Sequence, residues 1–474
     1  TRVVTRNGEI ANLKNLDKVG VKLAKSVAIL NDASSSDFEE VKNLADARVV
    51  KAILAVVAAN EEKDDKDLPP IVAELHSEQY RRLAKSIAPK AVTTINEAEI
   101  LGLILVQTSR NIGLATVYLD LVGFENNEFY FYRPELGWRG LTFGQLLFRF
   151  MKSRPIGVRR YDGSATIKPS WDYKLADDDE LIVLAEDDST IKFMSEALLE
   201  QKTVSYTDRL PSIPKIEKHL IIGWNSKAPI ALKEYAEYVG EGSEVNLVVD
   251  ELTSEIQNNF DEIAKSFPDV GMNVWEVDLN SVEELKSLKP YKYNSISILA
   301  SSGKNAEEID AKTLTVLLEH RQIFQEYTEE TGEKVTTALI AEIVNSEDTE
   351  LVVKAGVKDF LLSNKFVSKI LAQVSQAPDV MAVYKQLFIA EGSELYLKPV
   401  KLYFPPEAMM FQDITFGDCV VAAQKRDELC IGLKIGALST EQEKDFGIEL
   451  IPKLNESFNL TKDDALIVLA EDEN

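Results

Sequence analysis

The sequence predicts an α/β protein built twice from one plan, each copy a doubly wound parallel sheet followed by a small β-rich subdomain. Two observations carry this prediction. The segment LIVLAED occurs at 181–187 and again at 466–472, each time behind a run of aspartates. Upstream of each segment, strand patterns alternate with helix patterns, which is typical of parallel sheets with helices on both faces. The chain opens inside this alternation, so we expect the first unit to be truncated at its N-terminus.

The longest repeated stretch runs over 70–121 in the first copy and 338–387 in the second. Both parts predict a strand ending in Ala-Glu, a helix, a short strand and a long amphipathic helix. Glu74 and Glu342 occupy matching places at the ends of the two Ala-Glu strands. The second copy also contains a strand, glycine turn, helix and strand over 218–251, for which the first copy has no partner.

These patterns divide the chain into units and a linker. A Pro- and Ser-bearing stretch at 203–217 separates the two copies and is typical of a linker. We therefore predict an incomplete first parallel-sheet part at 1–121, its β-rich subdomain at 122–202, the linker at 203–217, the second parallel-sheet part at 218–387 and its β-rich subdomain at 388–474.

Composition excludes several classes of function. A formal charge of −25 over 474 residues disfavours nucleic acid as a partner, because phosphate binding needs a basic face. The two cysteines, Cys419 and Cys430, form neither a disulfide framework nor a zinc motif. No apolar run reaches the roughly 18 residues needed to cross a bilayer.

Enzymatic signatures are also missing from the sequence. After the first strand of the second copy, only Gly223 matches the G-x-G-x-x-G pattern, and Asn225 carries a side chain where a pyrophosphate needs bare backbone. We therefore expect no NAD in the second copy, although Asp250 could hold a ribose. No nucleophile elbow or metal-protease motif is present, so the sequence predicts a protein that is not an enzyme.

Oxygen ligands follow two neighbouring strands of the first predicted sheet. The strand SVAILND ends at Asn31 and Asp32, with Asp37 shortly after, and the strand PIVAEL ends at Glu74. Ligands of doubly wound sheets collect at the carboxyl ends of the strands, and Ca²⁺ prefers carboxylate and carbonyl oxygens. These four residues are the predicted metal ligands. The alternative is that the acids cap the helices that follow.

The segments 3–30, 107–134 and 178–188 resemble the CASTOR/POLLUX family of ion channels, and GFENNEFY followed by LIVLAEDD is the most specific part of the likeness. The resemblance implies two tandem RCK units (regulators of K⁺ conductance), each with a Rossmann-like part and a β-rich C-terminal subdomain. It also implies a homotetramer assembled through RCK–RCK interfaces, and a covalently linked pore domain that this chain does not contain.

The function implied by the resemblance is a cytosolic gating-ring module that couples ion binding, by expectation of Ca²⁺, to the opening of a cation pore for K⁺. In calcium-gated relatives the ligands fall at the places of Asn31, Asp32 and Glu74, although those relatives carry an acid where Asn31 stands. The implied location is the cytoplasmic face of the cell membrane, or the nuclear envelope as in plant members. Two rivals stay open: a nucleotide-gated regulatory subunit of a K⁺ uptake system, and an NAD-dependent oxidoreductase.

Overall fold

The structure is a computed structural model that describes residues 3–33, 39–111, 113–135, 137–198, 204–207, 215–300, 306–345, 360–388, 392–439 and 441–472. Within these ranges the strands form two parallel sheets, two four-stranded antiparallel sheets and a two-stranded ribbon.

The second copy contains a six-stranded parallel sheet. Its strands are β8 (Lys218–Ile222), β9 (Glu244–Val249), β10 (Gly271–Glu276), β11 (Ser295–Ile298), β12 (Ala338–Ile343) and β13 (Phe360–Leu362). Their order across the sheet is β10-β9-β8-β11-β12-β13, the 3-2-1-4-5-6 order of a Rossmann fold. Its helices are α7 (Ala228–Tyr238), α8 (Ser254–Ser266), α9 (Val282–Ser287), α10 (Ala306–Thr331), α11 (Ser363–Gln376) and α12 (Val380–Phe388).

The first copy contains a three-stranded parallel sheet that corresponds to the last three strands of the second. Its strands, in the order β1-β2-β3, are β1 (Val27–Ile29), β2 (Ile71–Glu74) and β3 (Val92–Ile95). Its helices are α1 (Leu13–Lys18), α2 (Glu39–Ala59), α3 (Glu78–Ile87), α4 (Glu97–Arg110) and α5 (Leu114–Leu121). The predicted long amphipathic helix is thus two helices, because Gly113 interrupts it with a φ of 97°. Residues 377–379, which include Pro378, separate α11 from α12 at the matching place.

The β-rich parts have the same strand order in both copies. The first sheet, β4-β7-β5-β6, contains β4 (Glu128–Tyr132), β5 (Ser153–Arg159), β6 (Ala165–Ile167) and β7 (Glu180–Ala185), with the short helix α6 (Phe143–Leu146) before β5. The second sheet, β14-β19-β16-β17, contains β14 (Glu394–Pro399), β16 (Leu429–Lys434), β17 (Ile448–Leu450) and β19 (Ala465–Ala470). The helices α13 (Pro406–Phe411) and α14 (Phe416–Lys425) and the ribbon of β15 (Ile414–Thr415) and β18 (Ser457–Phe458) complete this part. Each LIVLAED segment is therefore an inner strand of its sheet.

One aspartate in front of each LIVLAED segment is buried rather than solvated. Asp179 and Asp464 are both only 3% exposed. Asp179 accepts hydrogen bonds from the Tyr173 hydroxyl (2.7 Å) and the Ala176 amide (2.9 Å). Asp464 likewise accepts from the Gly436 amide at 2.7 Å. These two carboxylates hold the turns that start the closing strands.

The two copies exchange helices. Helix α4 of the first copy packs against α7 and against β11 and β12 of the second. In return, α11 of the second copy packs against β1 and β2 of the first. Each parallel sheet is therefore covered on one face by a helix from the other copy, and the predicted α/β class with repeated parallel sheets is confirmed.

None of the helices within the described ranges combines the length and the apolarity that a membrane crossing requires.

Gly102 tests the contact between α4 and α7. A Cβ built on Gly102 would lie 2.9 Å from Ile230 Cγ2 and 3.4 Å from the Lys227 carbonyl oxygen. We predict that Gly102→Val lowers the free energy of unfolding by about 1–3 kcal/mol, because overpacking forces the two helices apart. The measurement is urea denaturation followed by circular dichroism. The control is Ala58→Val on an exposed face of α2; an equal loss in both variants would contradict close packing at Gly102.

Candidate functional site

The carboxyl ends of β1 and β2 meet at Glu74. The two strands are parallel neighbours, with Ile29 opposite Ala73. The backbone amide of Asn31 donates to Glu74 Oε2 at 3.2 Å, and Asn31 Nδ2 lies 3.3 Å from the Glu74 carbonyl oxygen. The structure thus brings together two of the predicted ligand residues, as expected from adjacent parallel strands.

Asp46 of α2 organises the loops around this strand end. Its side chain is fully buried. It accepts hydrogen bonds from Asn31 Nδ2 (2.8 Å) and from the backbone amides of His76 (3.1 Å) and Ser77 (2.8 Å). With three donors on its two oxygens, Asp46 serves as a structural clamp. Sequence reasoning missed it; the only signal was one acid within the apolar face of α2.

The other predicted ligands do not complete a metal shell. Asp32 is exposed and forms an ion pair with Arg48 at 3.1 Å. The side-chain oxygen of Asn31 accepts from the Ala33 amide at 3.0 Å. Asp37 lies outside the described residues. In the part of the chain that the structure describes, no three His, Cys, Asp or Glu side chains are grouped so that they could hold a metal ion.

The matching strand end of the second copy is closed by its own side chains. Glu342 is 1% exposed, and its carboxylate forms an ion pair with Lys227 Nζ at 2.9 Å. It also accepts from Ser363 Oγ (2.7 Å), Asn225 Nδ2 (3.2 Å) and the Ala300 amide (3.0 Å). Asn225 and Lys227 belong to the glycine turn after β8, where a dinucleotide would have to approach.

Asp310 repeats the role of Asp46 in the second copy. Its carboxylate accepts from the Val344 amide at 2.8 Å and the Asn345 amide at 2.7 Å. The two strand ends therefore share their clamp and the amide that donates to the glutamate. They differ at the ammonium group, because Glu74 has no Lys or Arg within ion-pair distance among the described residues.

The electrostatics of the two glutamates differ accordingly. Burial raises the pKa of Glu74 to about 7, against the opposing Asn31 amide and with the nearby negative charges of Glu97 and Asp46. Burial also acts to raise the pKa of Glu342, but Lys227 and Ser363 outweigh it and hold that pKa below its ordinary value. Glu74 is therefore a partly buried carboxyl that lacks the positive charge its counterpart has.

Replacing Glu74 tests this lack of a counter-charge. Because the folded-state pKa lies above the unfolded one, folding favours the protonated carboxyl, and its contribution to stability falls as pH rises from about 4.5 through 7. In EDTA at pH 8, we predict that Glu74→Gln raises the free energy of unfolding by up to about 3 kcal/mol, since one pKa unit corresponds to about 1.4 kcal/mol. At pH 4.5 the two proteins should be nearly equal. Urea denaturation across this pH range is the measurement, and parallel pH curves would contradict the assignment.

For the second copy we predict the reverse dependence of stability on pH. Lys227→Met leaves the Glu342 carboxylate buried without its ammonium, so we expect the free energy of unfolding to fall by about 3–5 kcal/mol at pH 8. The loss should shrink toward pH 5, where protonation of Glu342 removes the unpaired charge. The double variant Lys227→Met/Glu342→Gln should recover part of the stability. A loss that is independent of pH would argue against this ion pair as the cause.

Comparisons with known proteins identify relatives of this chain. Residues 98–201 match the family described as "Castor and Pollux, part of voltage-gated ion channel". The chain is 27% identical over 472 residues to the probable ion channel POLLUX of Oryza sativa subsp. japonica, covering 92% of this chain and 46% of that protein. It is 26% identical to the ion channel DMI1 of Medicago truncatula, covering 100% of this chain and 54% of that protein. For the ion channel CASTOR of Lotus japonicus the identity is 25%, covering 92% of this chain and 52% of that protein.

Among solved structures, a GsuK channel aligns with 98% of this chain and 68% of that one, at 15% identity and a TM-score of 0.38. The chain spans about half the length of the curated relatives it matches. Those relatives are named as ion channels, which agrees with the expectation that the chain is not an enzyme. The resemblance predicted from the sequence is confirmed: residues 98–201 match the Castor and Pollux family, and nine-tenths or more of the chain is similar to the CASTOR and POLLUX ion channels.

Proposed function

We propose that this chain is the ligand-sensing gating-ring region of a tetrameric cation channel, and that a cation at Glu74 is the signal it senses. The observation that carries the proposal is the difference between the two strand ends. In the second copy an internal ammonium, Lys227, neutralises Glu342 at 2.9 Å. In the first copy the equivalent carboxyl, Glu74, has no such partner among the described residues. A bound cation would supply the missing charge.

Calcium is the first cation to consider, because the ligand atoms at this strand end are oxygens. The described ligands do not fill a calcium shell of six to eight oxygens, since Asp46 is saturated by amides and Asp32 is paired with Arg48. Glu74 is therefore the anchoring ligand of the proposal, and Asp37 is its second predicted ligand.

Binding at Glu74 could reach the other copy through packing. The strands β1 and β2, which carry Asn31 and Glu74 at their ends, lie against α11 of the second copy. A cation changes a conformational equilibrium only if it binds one arrangement more tightly than the other. We propose that the arrangement of α11 on β1 and β2 is what the cation selects.

The remaining parts of the proposal follow from the relatives, which are ion channels by name. We propose assembly of four copies into a ring linked covalently to a pore for K⁺, at the cytoplasmic face of a membrane. The nuclear envelope is the alternative location. The nucleotide-gated alternative is disfavoured in the second copy, because Asn225, Lys227 and Glu342 fill the strand-end crevice with their own contacts.

Calorimetry with Ca²⁺, Mg²⁺ and Na⁺ tests the cation site. We predict saturable binding of Ca²⁺ to the wild-type chain at pH 7.5, weakened at least about tenfold in Glu74→Gln, because a charged ligand contributes roughly 1.4 kcal/mol or more. Asp37→Ala should also weaken binding, whereas Asp32→Ala should have a smaller effect since Arg48 already holds that side chain.

The control for this experiment is Glu61→Ala, which removes one exposed acid from the charged loop after α2. Glu74→Gln is expected to be at least as stable as the wild type in EDTA, so lost binding would not reflect unfolding. Equal heats for the wild type and Glu74→Gln would remove the proposed site.

A further inference from the structure

A small cavity lies where α12 of the second copy meets α4 of the first copy. Its volume is about 60 Å³. The polar and charged groups come from Arg81 and Lys85 of α3, Thr94 and Asn96 at the end of β3, Glu99 of α4 and Lys385 of α12. Apolar side chains of α4 and α12 line the rest, namely Ile100, Leu103, Met381 and Phe388.

Three positively charged side chains converge on this cavity although the whole chain carries a charge of −25. Arg81 is paired with Glu78 and Glu99. Lys85 and Lys385 are both exposed, and neither has an ion-pair partner among the residues that the structure describes. Burial lowers the pKa of Lys85, and the positive charges of Lys385 and Arg81 lower it further. At this contact the two copies therefore bring together three positive charges and the carboxylate of Glu99.

One donor at the cavity is buried without a partner, and a second donor is unbonded. Arg81 Nε is buried and makes no hydrogen bond within the described part of the chain. Thr94 is 6% exposed, and no described residue bonds to its hydroxyl. Buried donors are rarely left unpaired in native proteins, because each unpaired group costs free energy. Arg81 and Thr94 both line the cavity, together with the two lysines and Glu99.

We propose that this cavity binds a small phosphate-type oxyanion that joins the two copies, held by Arg81, Lys85 and Thr94 of the first and Lys385 of the second. An oxyanion accepts several charge-assisted hydrogen bonds at once, so it would satisfy Arg81 Nε and the Thr94 hydroxyl while it neutralises the two lysines. Because Lys385 belongs to α12, the bound anion would favour docking of the exchanged helices. The ligand is either a free oxyanion or the phosphate of a monoester.

The test compares thermal unfolding and calorimetry of the full chain in inorganic phosphate and in chloride of equal ionic strength. Phosphate should raise the melting temperature of the wild type and bind saturably. In Lys385→Ala, Lys85→Ala and Thr94→Val we expect the phosphate affinity to fall by about tenfold or more. The matched control is Lys90→Ala, an exposed lysine just after α3, which should keep the phosphate effect.

The stability of the variants without phosphate distinguishes anion binding from a structural role of the lysines. In chloride, Lys385→Ala should be as stable as the wild type or more stable, because it removes repulsion from Lys85 and Arg81. Adenosine monophosphate provides a second arm, and its binding in place of inorganic phosphate, lost in the same variants, would support a monoester as the ligand. An equal phosphate effect in all variants, or no phosphate or monoester effect in the wild type, would overturn the proposal.

Discussion

The structure depends on one constraint: a parallel sheet must be covered on both faces, and here neither copy covers its own sheet alone. Helix α4 leaves the first copy to pack against β11 and β12, and α11 leaves the second copy to pack against β1 and β2. Parallel strands are usually buried on both faces because their crossovers place helices there. The exchange thus makes the core of each copy part of the other. A movement of either sheet therefore displaces a helix that belongs to the other copy.

The two copies nevertheless differ where α5 and α12 each meet the β-rich part of the other copy. Gln386 of α12 lies against the edge strand β6, where its amide group accepts from the Ile167 amide at 2.8 Å and donates to the Ala165 carbonyl at 2.6 Å. Asp120 of α5 occupies the matching position in the first copy. A carboxylate cannot donate to a strand edge, and Asp120 Oδ1 is buried with no hydrogen bond in the described part of the chain. Instead of a closed contact, a cavity of about 380 Å³ lies between Asp120 and β17, lined by acids that include Glu449.

The sequence predicted the fold because alternating strand and helix patterns and a long internal repeat reflect the burial that each element needs. It could not predict the helix exchange, since an apolar helix face does not specify which copy's sheet will cover it. Glu74 was predicted because it ends an apolar strand, whereas Asp46 was missed because it lies within a helix and contacts the strand end only after folding. Lys227 was missed for the same reason: its partner Glu342 lies 115 residues away.

The two copies differ in the same way at the strand ends and at the helix contacts. In the second copy the structure supplies its own partner at both places: Lys227 for Glu342 and the Gln386 amide for β6. In the first copy both places hold a carboxyl, and burial raises the pKa of Glu74 to about 7 and that of Asp120 to about 6. A partly buried carboxylate without a positively charged partner costs stability at neutral pH, and protons or cations that bind it reduce that cost. In the proposed function, the first copy is therefore where cations act, and the helices exchanged between the copies are the route to the second copy.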